Sequence, residues 1–123
     1  MASPIDIKEL SGLLKVKVNT LRQWKGDKII TPFIRKGNKH MYNPECSEIR
    51  KAVFDEIALD FTNKQVGIIF EEVFGPKDKY LKKMLETSTN KQELIETTAE
   101  EIIKDKQEWI EKISNGMKKK NKS

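Results

Sequence analysis

The stretch Ile7–Tyr42, IKELSGLLKVKVNTLRQWKGDKIITPFIRKGNKHMY, decides how this chain reads. Apolar residues at 7, 10, 13 and 14 share one helical face. Asp6 stands before them as N-cap, and Glu9, three residues on, completes a capping-box pattern. Lys15-Val16-Lys17 interrupts the helix, and a second one is predicted from about Val18 to Lys25. Its apolar face is Val18, Leu21 and Trp24, which leaves Asn19, Thr20, Arg22 and Gln23 to project elsewhere; Gly26-Asp27 ends it. Pro32–Lys36 and Lys39–Tyr42 read as strands around Gly37-Asn38, a pair that supplies the positive φ of a tight hairpin.

Two short helices at a tight connection, followed at once by a basic hairpin, are the order of a helix-turn-helix with a wing, an arrangement suited to holding duplex DNA. Charge is distributed to match. Residues 1–42 carry nine Lys/Arg against three Asp/Glu, a net +6, whereas 43–76 carry three against seven, a net −4. Residues 77–117 come to −1 and 118–123 to +4, completing the chain's +5. Concentrating cations in the segment that would meet phosphate matters more than the total, because phosphate neutralisation supplies most non-specific affinity.

Downstream, Asn43-Pro44-Glu45 opens a third helix, with Asn as N-cap and Pro at the first helical position. Cys46, Ile49, Val53, Ile57 and Ala58 form its expected buried stripe. Thr62-Asn63-Lys64-Gln65 is a second capping box, clamped by Phe61 and Val66, and the helix it starts, Asn63–Phe74, stops at Gly75-Pro76. A short amphipathic helix follows over Lys77–Glu86 with Tyr80, Leu81, Met84 and Leu85 on one side. After Ser88-Thr89-Asn90, a longer helix is predicted from about Lys91 to Ser114, ended by Asn115-Gly116. Its apolar positions 95, 99, 102, 109 and 113 make a heptad-like seam with Lys106 in the gap, widened by Leu94, Ile103 and Ile110.

At 123 residues the chain is one domain, or one small domain with an appendage. We divide it into a head, 1–76, a helical extension, 77–117, and a disordered basic tail, 118–123. A single cysteine, Cys46, excludes an intramolecular disulfide and a Cys-based metal site, and with one His a structural zinc centre is not expected. Cys46 itself reads as a small core residue. The adjacent acids Asp55-Glu56, Glu71-Glu72 and Glu100-Glu101 point in different directions on helices, so no metal or other cofactor is expected. No signal peptide and no apolar window of membrane-span length is present, and a cytoplasmic, nucleoid-associated protein is expected. His40 has no nucleophile beside it in the pattern, and no catalytic constellation appears, so an enzyme is not expected.

The residues Glu9-Leu10-Ser11, Val16, Thr20-Leu21-Arg22, Trp24, Ile29-Ile30, Pro32, Arg35 and Tyr42 resemble the MerR-type winged helix-turn-helix family over about residues 5–74. Four positions depart from its pattern. Lys15 and Lys28 stand where glycine is usual, Lys17 where Ser commonly caps the second helix, and His40 where Arg is common. Losing such a cap typically costs about 1 kcal/mol. The resemblance implies a mostly α fold with a β-hairpin wing, a recognition helix in the major groove, the wing against flanking backbone or minor groove, and usually a dimer.

Double-stranded DNA is therefore the expected partner. Arg22, Asn19, Thr20 and Gln23 have the reach and polarity to read base edges, while Lys17, Arg35, Lys36 and Lys39, with His40, would hold phosphates and fix register. The metal-site cysteines and the effector domain of the larger regulators are absent, leaving a compact transcription regulator, an excisionase-like architectural factor, or a plasmid or phage partition or replication accessory factor. Ile95, Ile102, Trp109 and Ile113 are the expected partner seam, to be covered by the chain's own head, a second copy or a foreign protein, a second copy being favoured because two-fold dimers match two half-sites. The reading from another class is a protein-interaction module, in which 77–117 bind or inhibit a protein and the head is only scaffold.

Overall fold

Asp6 caps the first helix as its sequence predicts. Its carboxylate accepts from the Glu9 backbone N–H at 2.9 Å, and Glu9 reaches back to the Asp6 N–H. The structure, a computed structural model, describes residues 3–122, with side chains as far as Glu111. Helix α1 (Ile7–Leu14) and α2 (Val18–Gly26) precede an antiparallel hairpin of β1 (Ile34–Lys36) and β2 (Lys39–Met41); α3 (Pro44–Ile57), α4 (Asn63–Phe74), α5 (Lys79–Thr87) and α6 (Lys91–Lys122) follow. The molecule is mostly helical, and its one sheet has two strands. Helix α6 continues through the stop expected at Asn115-Gly116 and through the expected tail as far as Lys122, which corrects both bounds; the side chain of Ile113 lies outside the described residues.

Both helices of the first pair end in the same way. Lys15 follows α1 at φ +57, and the Val16 N–H donates back to the Ser11 carbonyl at 3.2 Å. Lys28 follows α2 at φ +66, with the Lys28 N–H on the Lys25 carbonyl at 3.2 Å and the Ile29 N–H on the Trp24 carbonyl at 2.8 Å. These are Schellman closures, in which a left-handed residue turns the chain and the next, apolar one packs back. Glycine suits that turning position; a lysine there takes up a conformation that disfavours a Cβ by about 1–2 kcal/mol. Lys17, at the start of α2, makes no side-chain cap.

The strands begin at Ile34 and end at Met41, shorter than the sequence suggests because Pro32 brings no N–H to a ladder. Ile34 pairs with Met41, Arg35 with His40 and Lys36 with Lys39 around Gly37, whose φ of +63 is the hairpin's one positive value. A bridge between Ile5 and Tyr42 then ties the N-terminus to the hairpin's exit.

Two apolar clusters meet at Trp24. Leu10, Leu14, Leu21, Ile30 and Tyr42 form the smaller. The larger joins Ile29 to the buried faces of α3 and α4 and continues through Leu81 of α5 to Ala99, Ile102 and Ile110 of α6. Trp24 packs on both, its ring edge-on to Phe54 at 5.1 Å. Ala58, expected in the stripe of α3, is exposed because the helix ends at Ile57. Asn43 and Thr62 cap α3 and α4 as expected, accepting from Cys46 N–H at 3.0 Å and Gln65 N–H at 3.2 Å. Gly67 of α4 lies so close to the Asp27 carbonyl that a Cβ would stand 1.8 Å from the oxygen; only glycine allows this approach.

The middle of the α6 seam is covered by this chain. Ile102 is 1% exposed and Ala99 3%, both within the cluster built on α3 and α4. A lone amphipathic helix must bury its stripe somewhere, and here the head supplies the surface, which corrects the expectation that Ile102 is left for a second copy.

One buried cation organises the junction. The Arg50 side chain is 3% exposed and that of Asp78 2%. Its Nε donates to Asp78 Oδ1 at 2.7 Å, and its Nη1 donates to the carbonyls of Lys28 and Ile29, each at 3.1 Å. Its guanidinium also lies over Phe70 and Phe74, 5.5 and 5.3 Å from the ring centroids. Asp78 reaches it from a tight turn, Pro76–Asp78, in which Lys77 and Asp78 both have positive φ, +51 and +59. This turn delays α5 to Lys79, two residues past its expected start, because left-handed residues cannot begin a right-handed helix.

Two stability measurements check this account. Asp78→Ala leaves a buried guanidinium without its counter-charge and should lose about 3–5 kcal/mol in urea titration; Arg50→Leu combined with Asp78→Leu should lose clearly less. Lys15→Gly should raise stability by about 0.5–1 kcal/mol, the relief of left-handed strain exceeding the entropy of the freer unfolded chain.

Candidate nucleic-acid interface

The first turn of α1, the outer face of α2 and the hairpin enclose a groove of about 420 Å³. Lys8, Arg22, Lys25, Lys39 and His40 line it, with Asp6 as the one acidic lining residue. The Asp6 carboxylate is already engaged in capping α1. None of Lys8, Arg22, Lys25 and Lys39 forms an ion pair among the described residues. The groove thus offers several solvated cations to an anion and little internal compensation.

The helix α2 supplies this arrangement because its buried side is narrow. Leu21 alone is fully buried, Val18, Thr20 and Trp24 are half-buried, and Asn19, Arg22 and Gln23 are exposed. Arg22 Nη1 donates to Asn19 Oδ1 at 3.4 Å, a long contact between neighbours one turn apart, so both tips remain available. Lys17 is exposed at the N-terminus of the same helix.

On the hairpin, Lys39 and His40 turn into the groove. Arg35 lies opposite His40 and Lys36 opposite Lys39; both are exposed and do not line it. Two lysines directly across a ladder repel one another, an arrangement that a polyanion relieves. The structure therefore brings Arg22, Lys39 and His40 together, and leaves Asn19, Thr20, Gln23 and Lys17 along α2 and Arg35 and Lys36 on the hairpin's other positions. Lys8 and Lys25 also belong to the groove, although the sequence reading did not single them out. For Lys25 the signal is its place three residues after Arg22, one turn along the same face. Lys8 carried no local signal, since only the packing of α1 beside the hairpin brings it there.

Partial burial, with Lys25 and Arg35 nearby, lowers the pKa of His40 from its usual 6.5. The imidazole is thus neutral at pH 7. The unfolded chain, with the higher value, takes up the proton first as pH falls, so this group withdraws stability on the acid side of 6.5. Cys46 is also unlike a reactive group: burial, then Asp78, pushes its thiol up to about 12.

The expected seam residues sit differently. Ile95 is half-buried against the large cluster, and Trp109 is half-buried with Lys106 Nζ 4.8 Å from its ring centroid, so the lysine in the seam's gap lies over the indole. Among the described residues no three His, Cys, Asp or Glu side chains group as metal ligands, and no helix is long and apolar enough to cross a membrane. Compared with family models, curated proteins and solved structures, the chain matches none, and its own residues carry the functional reading.

The single histidine makes the groove's electrostatics directly observable. In the free protein the one imidazole signal should titrate below pH 6.5 by NMR; duplex DNA in the groove should move that titration upward, because phosphate favours the charged ring. An unmoved titration at saturating DNA would place His40 away from the nucleic acid.

Proposed function

We propose that this protein is a sequence-specific double-stranded DNA-binding factor whose α1, α2 and hairpin work as a winged helix-turn-helix of MerR-like type. The observation that carries the reading is the groove of unpaired cations between the exposed polar face of α2 and the hairpin. A surface that concentrates Lys8, Arg22, Lys25 and Lys39 around a single carboxylate, Asp6, favours a polyanion, and the order helix, helix, hairpin suits a duplex groove. The left-handed conformations of Lys15 and Lys28 lend further support, since the resemblance expects glycine at both positions.

In this reading α2 lies in the major groove. Arg22 takes a guanine edge, Asn19, Thr20 and Gln23 meet neighbouring bases, and Lys17 and the wing residues Arg35, Lys36, Lys39 and His40 meet the backbone. Such a factor serves as a small regulator or an excisionase-like or partition accessory protein. The burial of Ile102 in this chain's own core argues against a partner module built on the α6 seam, and a two-fold dimer on DNA would use another surface.

Binding measured against salt and sequence tests the proposal. log K should fall linearly with log[salt], with a slope of about −0.9 per phosphate contacted. Arg22→Ala should cost about 1–3 kcal/mol on a selected site and relax preference at one position, whereas Lys39→Ala should weaken all duplexes alike. A wild-type protein that binds neither a selected nor a random duplex at low salt would end this reading.

A further inference from the structure

We infer that α5 is a second phosphate-binding element, which extends the DNA contact beyond the wing; the inference rests on the DNA-binding reading above. The net −1 of residues 77–117 hides two segments of opposite charge. Residues 77–83 hold four lysines, Lys77, Lys79, Lys82 and Lys83, and one acid, Asp78. Asp78 is buried against Arg50, so it cancels none of their charge at the surface. Over 91–111, by contrast, three lysines face seven acids.

The fold places these halves apart. The acidic helix α6 lies on α3 and α4 through Ala99, Ile102 and Ile110. The basic one is brought to the wing: Lys82 Nζ sits 4.9 Å from the centroid of Phe33, the residue that leads into β1. Lys77, Lys79 and Lys83 are exposed, and none of the four lysines forms an ion pair among the described residues. Of the two acids near Lys82, Glu45 is paired with Lys91 at 3.4 Å and Glu86, on α5 itself, leaves the segment from Lys77 to Glu86 with a surface excess of three cations. The left-handed turn at Lys77-Asp78 fixes this position, because Asp78 anchors the start of α5 to Arg50 while Lys79 and Lys83 remain in solvent.

These cations therefore reach the wing through Lys82 at Phe33, and none of them lines the groove that holds Arg22. A wing seated on the backbone carries them toward phosphates flanking its own contact. Four lysines without base-reading neighbours give affinity and register, not sequence.

The test uses the full chain with Lys79→Ala and Lys83→Ala together, both exposed and unpaired, so the fold is left intact. Two lost contacts should shift the slope of log K against log[salt] by about 1.8 and weaken binding by tens of fold at about 0.1 M salt. A selected and a random duplex should lose alike, and the footprint should shorten on the wing's flank. Lys104→Ala on α6 should change nothing. If Lys39→Ala weakens binding while the double variant keeps the wild-type slope and footprint, α5 is no DNA contact and the wing reading survives. Loss of binding to phosphatidylserine vesicles with the DNA slope unchanged would likewise overturn the inference, in favour of a membrane surface. A wild type that binds no duplex ends both proposals.

Discussion

A buried guanidinium holds this molecule together at the point where its parts would otherwise separate. Arg50 leaves the middle of α3 and meets three neighbours that are distant in sequence: the carbonyls that end α2, the aromatic rings of α4, and the carboxylate that precedes α5. The two carbonyls belong to the chain leaving α2, where the helix has ended and its backbone oxygens lack helical partners. Asp78 neutralises the cation, and the rings cover it. A charge removed from water in this way is tolerable only because nearly every direction around it is satisfied. The angle at which α2 presents its outer face is thus set partly from the C-terminal half, through one side chain.

Gly67 completes that constraint from below. With no Cβ on Gly67, α4 approaches the Asp27 carbonyl directly, just before the oxygens to which Arg50 donates. The exit of α2 is held between a missing side chain and a charged one. Trp24 adds a third hold by packing into both apolar clusters. These contacts make the head and the helices after it one core, although their surface charges are opposite.

Local signals carried much of the fold. The Asp6 and Thr62 capping boxes, the Asn43-Pro44 start and the Gly37-Asn38 turn each rest on chemistry within a few residues, and the elements they bound were legible for that reason. What escaped the sequence was long-range. Arg50 reads as one more charge on an amphipathic helix until Asp78, 28 residues away, is placed beside it. The late start of α5 follows from that pair, since the left-handed turn delivers the carboxylate. Ile102 illustrates a different limit: periodicity shows that a stripe must be buried, but it does not name the surface that buries it. Of the site, Arg22, Lys39 and His40 were legible from the helix face and the hairpin, whereas Lys8 joins them only through the packing of α1.

Cys46 gives the molecule a property unrelated to any ligand. It is the only thiol in the chain, 1% exposed at the start of α3, and its proton is held far above neutrality. Thiol chemistry proceeds through the thiolate, so the folded molecule is nearly inert to alkylation and oxidation. Reaction requires a local opening of the packing around Cys46, which exposes the sulfur and restores its ordinary acidity. The rate at which a thiol reagent consumes Cys46 therefore counts such openings, so the chain carries an internal clock for its own breathing, readable without an added label.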